Sequence, residues 1–174
     1  QAGIVATGDD VAGANLGFMS FGQGLAFPMV QVVRAVGAIA NDGTMNVPHF
    51  LVQKAGDTVD WSSKGTDTVS KATCDKVTDM MRIVINEGTG TAAQVTGYDV
   101  AGKTGTGEQA SAEGGYESGK YVSSLVGFAN ADDPKVLVYV GLNGTPHLAA
   151  SSAAPVFSAI MSEALDEMGV KPSA

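Results

Sequence analysis

The chain has few of the side chains that hold zinc or close a disulfide. It carries one cysteine, Cys74, and two histidines among its 174 residues. A lone cysteine closes no bridge within the chain. His49 and His147 lie far apart and lack the spacing of paired zinc ligands, so a zinc site is not expected; no motif calls for another metal or a cofactor, and none is expected. Basic residues are scarce: 10 Lys and Arg stand against 18 Asp and Glu, a net charge of −8. That balance disfavours a sequence-independent grip on nucleic acid, which needs a basic surface. It also disfavours docking to anionic lipid by charge. No apolar run approaches the roughly 20 residues of a membrane helix.

What is present suits a globular domain. Apolar residues make up 44% of the chain, enough to argue against general disorder. The length allows one domain with a real core.

Residues 1–20 are rich in Gly, Ala and Asp and read as loop with a short helix. Pro28 suits a first helical turn. Met29, Val32, Val33, Val36 and Ala40 then recur at helical spacing until Asn41-Asp42-Gly43 stops the helix. Residues 47–52 read as a short strand. Residues 55–63 read as a hairpin with Asp57, Asp60 and Trp61 near its tip. Ser70 is a candidate N-cap. Cys74, Val77, Met80, Met81, Val84 and Ile85 mark one face of the helix that follows, with the methionines as core filling.

Three strands are expected next, over 100–106, 121–128 and 136–143. The last is nearly continuous apolar sequence, the pattern of a strand covered on both faces. Asp132-Asp133-Pro134 is a short turn, which favours an antiparallel hairpin over a crossover. The two aspartates fit that surface turn better than an acid–base pair. Residues 107–119 read as a polar loop overhanging the strands. Pro155 opens a terminal helix with Val156, Phe157, Ile160, Met161, Ala164, Leu165 and Met168 on a broad stripe, ended by Gly169 and Pro172. The fold class is α/β of the α+β type: an antiparallel sheet with helices packed on it.

One stretch concentrates chemistry. Lys103-Thr104-Gly105-Thr106 packs an ammonium, two hydroxyls and a glycine into four residues. In a strand, Lys103 and Gly105 share one face and Thr104 and Thr106 the other. Residues 97–104 also satisfy the phosphate-loop pattern G-x-x-x-x-G-K-[ST]. That pattern needs a buried strand before it and a helix after it. Gly90 to Thr96 make a poor strand, and Gly105 and Gly107 oppose a helix.

The context resembles another family. Glu87-Gly88-Thr89-Gly90-Thr91 leads to Lys103-Thr104-Gly105-Thr106, and Tyr121 to Phe128 follow after a polar loop. Gly22-Gln23-Gly24 lies upstream and Ala154-Pro155-Val156-Phe157 near the end. In this order the motifs resemble the C-terminal part of the transpeptidase domain of class B penicillin-binding proteins, across nearly the whole chain.

The resemblance implies a serine D,D-transpeptidase that cross-links peptidoglycan stem peptides ending in D-Ala-D-Ala and binds β-lactams. Lys103 and Thr106 would be catalytic: Lys103 as a fixed positive charge, Thr106 through its backbone N–H in an oxyanion hole. Thr104, Gly105 and Thr106 would bind substrate, the hydroxyls holding its carboxylate. Gly22, Gln23 and Gly24 would form the cleft rim. The family also uses Ser-x-x-Lys and Ser-x-Asn elements. No serine here has a lysine three residues on or an asparagine two residues on. The expectation is therefore a partial transpeptidase domain over 1–174, inactive alone, with the nucleophile upstream. A membrane anchor would also lie upstream, and the site would face outward from the bacterial cytoplasmic membrane. The exposed half-domain surface is expected to meet its missing N-terminal half or a second copy. Two alternatives stay open: a β-lactamase or β-lactam sensor of the same fold, and a non-catalytic binding module.

Overall fold

Asn130 adopts a left-handed backbone, φ 53°, and its carbonyl accepts the Asp133 N–H at 2.8 Å. This tight turn reverses the chain between two long strands, as Asp132-Asp133-Pro134 predicted. A computed structural model of the chain describes residues 5, 7–51, 53–54, 56–111 and 114–173. In chain order its elements are helices α1 (Gly13–Met19) and α2 (Met29–Ala40), the short strands β1 (Thr44–Met45), β2 (Gln53–Lys54), β3 (Asp57–Thr58) and β4 (Thr66–Asp67), helix α3 (Lys71–Asn86), the long strands β5 (Val100–Ala110), β6 (Tyr116–Ala129) and β7 (Val136–Thr145), and helix α4 (Ala153–Glu167). The three long strands form one antiparallel sheet in the order β5-β6-β7.

The sheet has two covered faces. On one, Val100, Leu125, Ala129 and Val140 pack with Phe157, Met161 and Leu165 of α4 and with Ile85 of α3. On the other, Ala101 and Phe128 pack with Met81 of α3, joined by Val36 and Ile39 of α2. Helix α3 therefore lies along the β5 edge and sends one residue to each face. Gly102 and Gly127 sit opposite each other across β5 and β6. A Cβ on Gly127 would lie 2.7 Å from the Ala101 carbonyl oxygen and 3.1 Å from Phe157 Cζ. Only glycine lets these layers close so tightly.

Helices α2 and α3 start and stop where the sequence indicates, whereas α4 opens at Ala153 and Pro155 falls within its first turn. Ser70 caps α3: its Oγ accepts the Thr73 N–H at 3.3 Å. Helix α2 begins after Pro28 and ends before Asp42 and Gly43, both at positive φ. The buried stripe of α3 is Cys74, Thr78, Met81 and Ile85. Met80, expected inside, is exposed, because the stripe steps by four, three and four residues and passes it by. On α4, Phe157, Met161 and Leu165 are buried as predicted, while Val156 and Ile160, and Met168 just past its end, face solvent.

Several boundaries moved. The strand expected over 47–52 does not form over 47–51, and residue 52 lies outside the described residues. Its carbonyls go to side chains instead: His49 Nδ1–H donates to Val47 O and Trp61 Nε1–H to Leu51 O. Pro48 has no N–H to offer a ladder. The hairpin pairs Gln53 with Thr58 and Lys54 with Asp57, so Asp60 and Trp61 fall beyond its tip. The polar stretch 107–119 is mostly strand: Gly107 pairs with Val122, Glu108 with Tyr121 and Ala110 with Tyr116. A ribbon whose described side chains are exposed or half-buried accepts polar residues, which is why polarity misled there. β7 is only partly covered, with Val140 its one buried residue among those described. Among the described residues no helix is long and apolar enough to cross a membrane.

Candidate active site

Lys103, Thr104, Gly105 and Thr106 lie in the middle of β5, opposite Val126, Leu125, Ser124 and Ser123 of β6. This placement removes the phosphate-loop reading, because Lys103 lies within a strand and precedes no helix. β5 is a sheet edge, so alternate backbone groups point away from β6. By alternation Thr104 and Thr106 continue the face of Val100, and Lys103 and Gly105 the face of Ala101.

Each candidate side chain has a defined neighbour. Lys103 Nζ donates to the Thr104 carbonyl at 2.7 Å. Thr104 Oγ1 lies 2.6 Å from Thr89 Oγ1. Thr106 Oγ1 accepts the backbone N–H of Ala149 at 3.1 Å. Lys103 and Thr106 are exposed and Thr104 half-buried. A hydroxyl that accepts from a backbone N–H keeps its own proton to give away. Thr106 is thus a donor with a supported lone pair. An ammonium and hydroxyl donors along one open edge make a place for an anion.

The supports come from three elements. Ile85 of α3 comes within 3.0 Å of where a Gly102 Cβ would be, one residue before Lys103. Fully buried Ser123, opposite Thr106, donates to the His147 carbonyl at 2.7 Å. That bond pins the turn that carries Ala149. Gly105 has a structural reason of its own: a Cβ there would meet Ser124 Oγ at 2.7 Å.

Gln23 and Gly24 line a cavity of about 490 Å³ with Phe18, Phe21, Glu108 and Tyr116. They therefore stand at the far end of the β5–β6 ribbon, two residues past Thr106. Gly22, at φ 91°, shapes the turn without lining that cavity. A larger cavity of about 570 Å³ opens at the other end of β5, around Asp99, Asn130, Asp133 and Lys171. It holds neither the lysine nor the threonine pair, so the chemistry points away from it. His49 stacks on Trp61 at 4.4 Å between ring centroids, with Lys64 over the same indole. His147 bonds through its backbone: its carbonyl accepts from Ser123 Oγ and its N–H donates to Thr145 Oγ1 at 3.2 Å.

Sequence reasoning missed Thr89, Ser123 and Ala149. The pair of glycines around Thr89 was a usable signal of a tight, specific turn. Ala149 acts through its backbone, which no side-chain pattern announces.

The family model of the penicillin binding protein transpeptidase domain matches residues 3–162. The chain belongs to that family. Among curated relatives of this transpeptidase-domain chain, stage V sporulation protein D of Bacillus subtilis is 36% identical over 166 residues, 88% of this chain and 25% of that protein. A probable peptidoglycan D,D-transpeptidase, PenA of Neisseria flavescens, is 34% identical over 159 residues, 89% of this chain and 38% of that protein. Among solved structures, the transpeptidase domain of Burkholderia pseudomallei penicillin-binding protein 3 is 32% identical with a TM-score of 0.79, over 92% of this chain and 48% of that one. Penicillin-binding protein 3 of Mycobacterium tuberculosis, solved in complex with aztreonam, is 29% identical with a TM-score of 0.85, over 100% of this chain and 42% of that one. The chain thus spans less than half the length of these relatives.

Proposed function

We propose that the protein carrying this chain is a serine-type peptidoglycan D,D-transpeptidase and that β5 is one wall of its active site. The observation that carries this reading is the stretch of β5 that follows its contact with α3 at Gly102, where Lys103 and Thr106 stand exposed and Thr104 half-buried. The ligand that fits is a short peptide ending in a carboxylate, the D-Ala-D-Ala end of a stem peptide, or a β-lactam that imitates it. Lys103 would raise the local potential and favour deprotonated neighbours. The Thr104 and Thr106 hydroxyls would donate to the carboxylate. The Thr106 N–H would be one of two donors to the oxyanion of the tetrahedral intermediate, a contribution of roughly 3 kcal/mol in hydrolases. Gly105 would keep a side chain away from the substrate backbone, beside its packing role against Ser124. Gln23 and Gly24, with Gly22 shaping their turn, would form a cleft rim.

The nucleophile and its lysine would come from a preceding part of the domain, making 1–174 its C-terminal part. Two features support this. The sheet has three strands, with β7 at an edge beside α4. The apolar side chains of Phe18, Phe21, Phe27 and Met29 are exposed on α1, α2 and their connection. A preceding half would cover them, and without it a second copy would. The reaction would take place at the outer face of the bacterial cytoplasmic membrane, where stem peptides are. The decisive experiment is labelling with fluorescent penicillin, run on the natural-length polypeptide beside this chain, with intact masses of both. One acyl group on the longer polypeptide and none on this chain is the expected result. No label on either leaves β5 as a non-catalytic binding strand. Label that is lost rapidly by hydrolysis makes the protein a β-lactamase.

A further inference from the structure

The hydroxyl pair at the site edge is held from behind by two different elements, and only one of them uses a side chain. Thr106 is held by the Ala149 N–H and Thr104 by Thr89. Thr89 stands in the turn that ends α3, where the Gly88 and Gly90 N–H groups both donate to the Val84 carbonyl, at 3.2 and 3.0 Å. A Cβ on Gly88 would fall 2.9 Å from that carbonyl oxygen, and one on Gly90 2.7 Å from Ile85 Cδ1. Gly88 meets backbone and is required for the turn to fold onto the helix end, while at Gly90 the Ile85 side chain would have to shift. The residue between them is thrown outward onto β5.

We propose that Thr89 is a positioning residue for anion recognition, resting on the reading of β5 as the carboxylate-binding wall. Either hydroxyl of this 2.6 Å pair can donate; in the proposed arrangement Thr89 gives the proton and Thr104 Oγ1 the accepting lone pair. With that lone pair occupied, the Thr104 O–H is turned away from Thr89 and is free to donate to the bound carboxylate. The arrangement parallels Thr106, whose lone pair is occupied by Ala149, so both strand hydroxyls face the ligand as donors. A free Thr104 rotor would spend its time between orientations, and an anion would meet an oxygen lone pair in some of them. Thr89 thus sets preference for a substrate with a negative charge at this point, without touching it.

The test uses the natural-length polypeptide with Thr89→Val, which keeps the shape and removes the hydroxyl, and Thr89→Ser, which keeps the hydroxyl. Second-order acylation constants are measured for benzylpenicillin and for its methyl ester, which lacks the anion. Thr89→Val is expected to slow benzylpenicillin about tenfold, the scale of one hydrogen bond to a charged group, and to leave the ester within about twofold. Thr89→Ser is expected to restore the benzylpenicillin rate. Equal losses on both compounds would mean a structural role and would overturn the proposal, as would no loss on either. If the unmutated polypeptide is not acylated, the transpeptidase reading fails and takes this inference with it. Normal acylation with an indifferent Thr89→Val removes the inference alone.

Discussion

Arg82 Nε lies 2.8 Å from Asp99 Oδ2, which ties the middle of α3 to the residue just before β5. The same guanidinium reaches Asp79 at 2.7 Å and Asp132, in the β6–β7 turn, at 2.6 Å. Three segments are thus gathered by one planar fork, which a lysine cannot imitate. Burial opposes the Arg82 charge, but the hydrogen bonds it donates to Asp132, Asp99 and Asp79 outweigh that and raise its pKa. A raised basic pKa contributes stability below the ordinary arginine value and loses it only at higher pH, so the clamp holds throughout the working range.

Arg82→Ala should therefore destabilise by about 2 kcal/mol, below the full cost of a broken buried pair because Asp79 and Asp132 are largely exposed. That corresponds to a fall in Tm of roughly 4–8 °C for a chain of this size. Asp132→Asn, at a carboxylate 92% exposed, should change stability by less than about 0.5 kcal/mol. Denaturant melts of the two variants check the contrast, and equal losses would refute the clamp.

Gly127→Ala places a methyl group 2.7 Å from a backbone carbonyl and 3.0 Å from Gly102 Cα. Backbone atoms on both sides cannot step aside, so a loss of about 3 kcal/mol is expected, at the upper end for overpacking. Gly107→Ala, in the same sheet with no heavy atom within 4 Å of its added Cβ, should be neutral within about 0.5 kcal/mol. Thermal melts of the pair decide whether layer spacing at Gly102 and Gly127 limits the fold.

These features divide into those written locally and those that are not. The Ser70 cap, the stop at Gly43 and the three long strands each depend on residues adjacent in sequence, and each was legible. Lys103 to Thr106 could be found because their chemistry is compressed into four positions. The partners of those residues were hidden, because Thr89, Ser123 and Ala149 reach them through tertiary folding. Polarity misplaced the 107–119 segment, since a solvated ribbon and a loop share a composition and differ only in pairing. The 47–51 segment failed for the opposite reason: its apolar residues suggested a strand, while His49 and Trp61 took the carbonyls.

Cys74 is 1% exposed, with Sγ 4.0 Å from the Ala38 carbonyl of α2. Burial is the main cause of its raised pKa, with Asp42 and Asp75 adding to it. The protonated thiol is favoured in the folded chain, so its stabilisation is complete below the unfolded thiol pKa and lost as pH rises toward the folded one. Alkylation at mild alkaline pH should therefore proceed at the rate of unfolding, and denaturant should accelerate it steeply. Rapid labelling of the native chain would show that the α2–α3 contact opens without global unfolding.

Lys103 offers the most direct test of the site's charge. Its ammonium now donates to the Thr104 carbonyl at 2.7 Å, an exposed contact that a bound anion can replace without breaking any buried bond. Lys103→Met keeps the length of the stem and removes the charge. In the natural-length polypeptide it should lower penicillin acylation by about 10- to 100-fold, the range for one hydrogen bond to a charged group. Stability should stay within about 0.5 kcal/mol, as for an exposed side chain with no buried partner. Because the attraction is electrostatic and open to water, salt should slow acylation of the unmutated protein more than that of Lys103→Met. Equal salt sensitivity in both would show that the charge recognised by the ligand lies elsewhere than on β5.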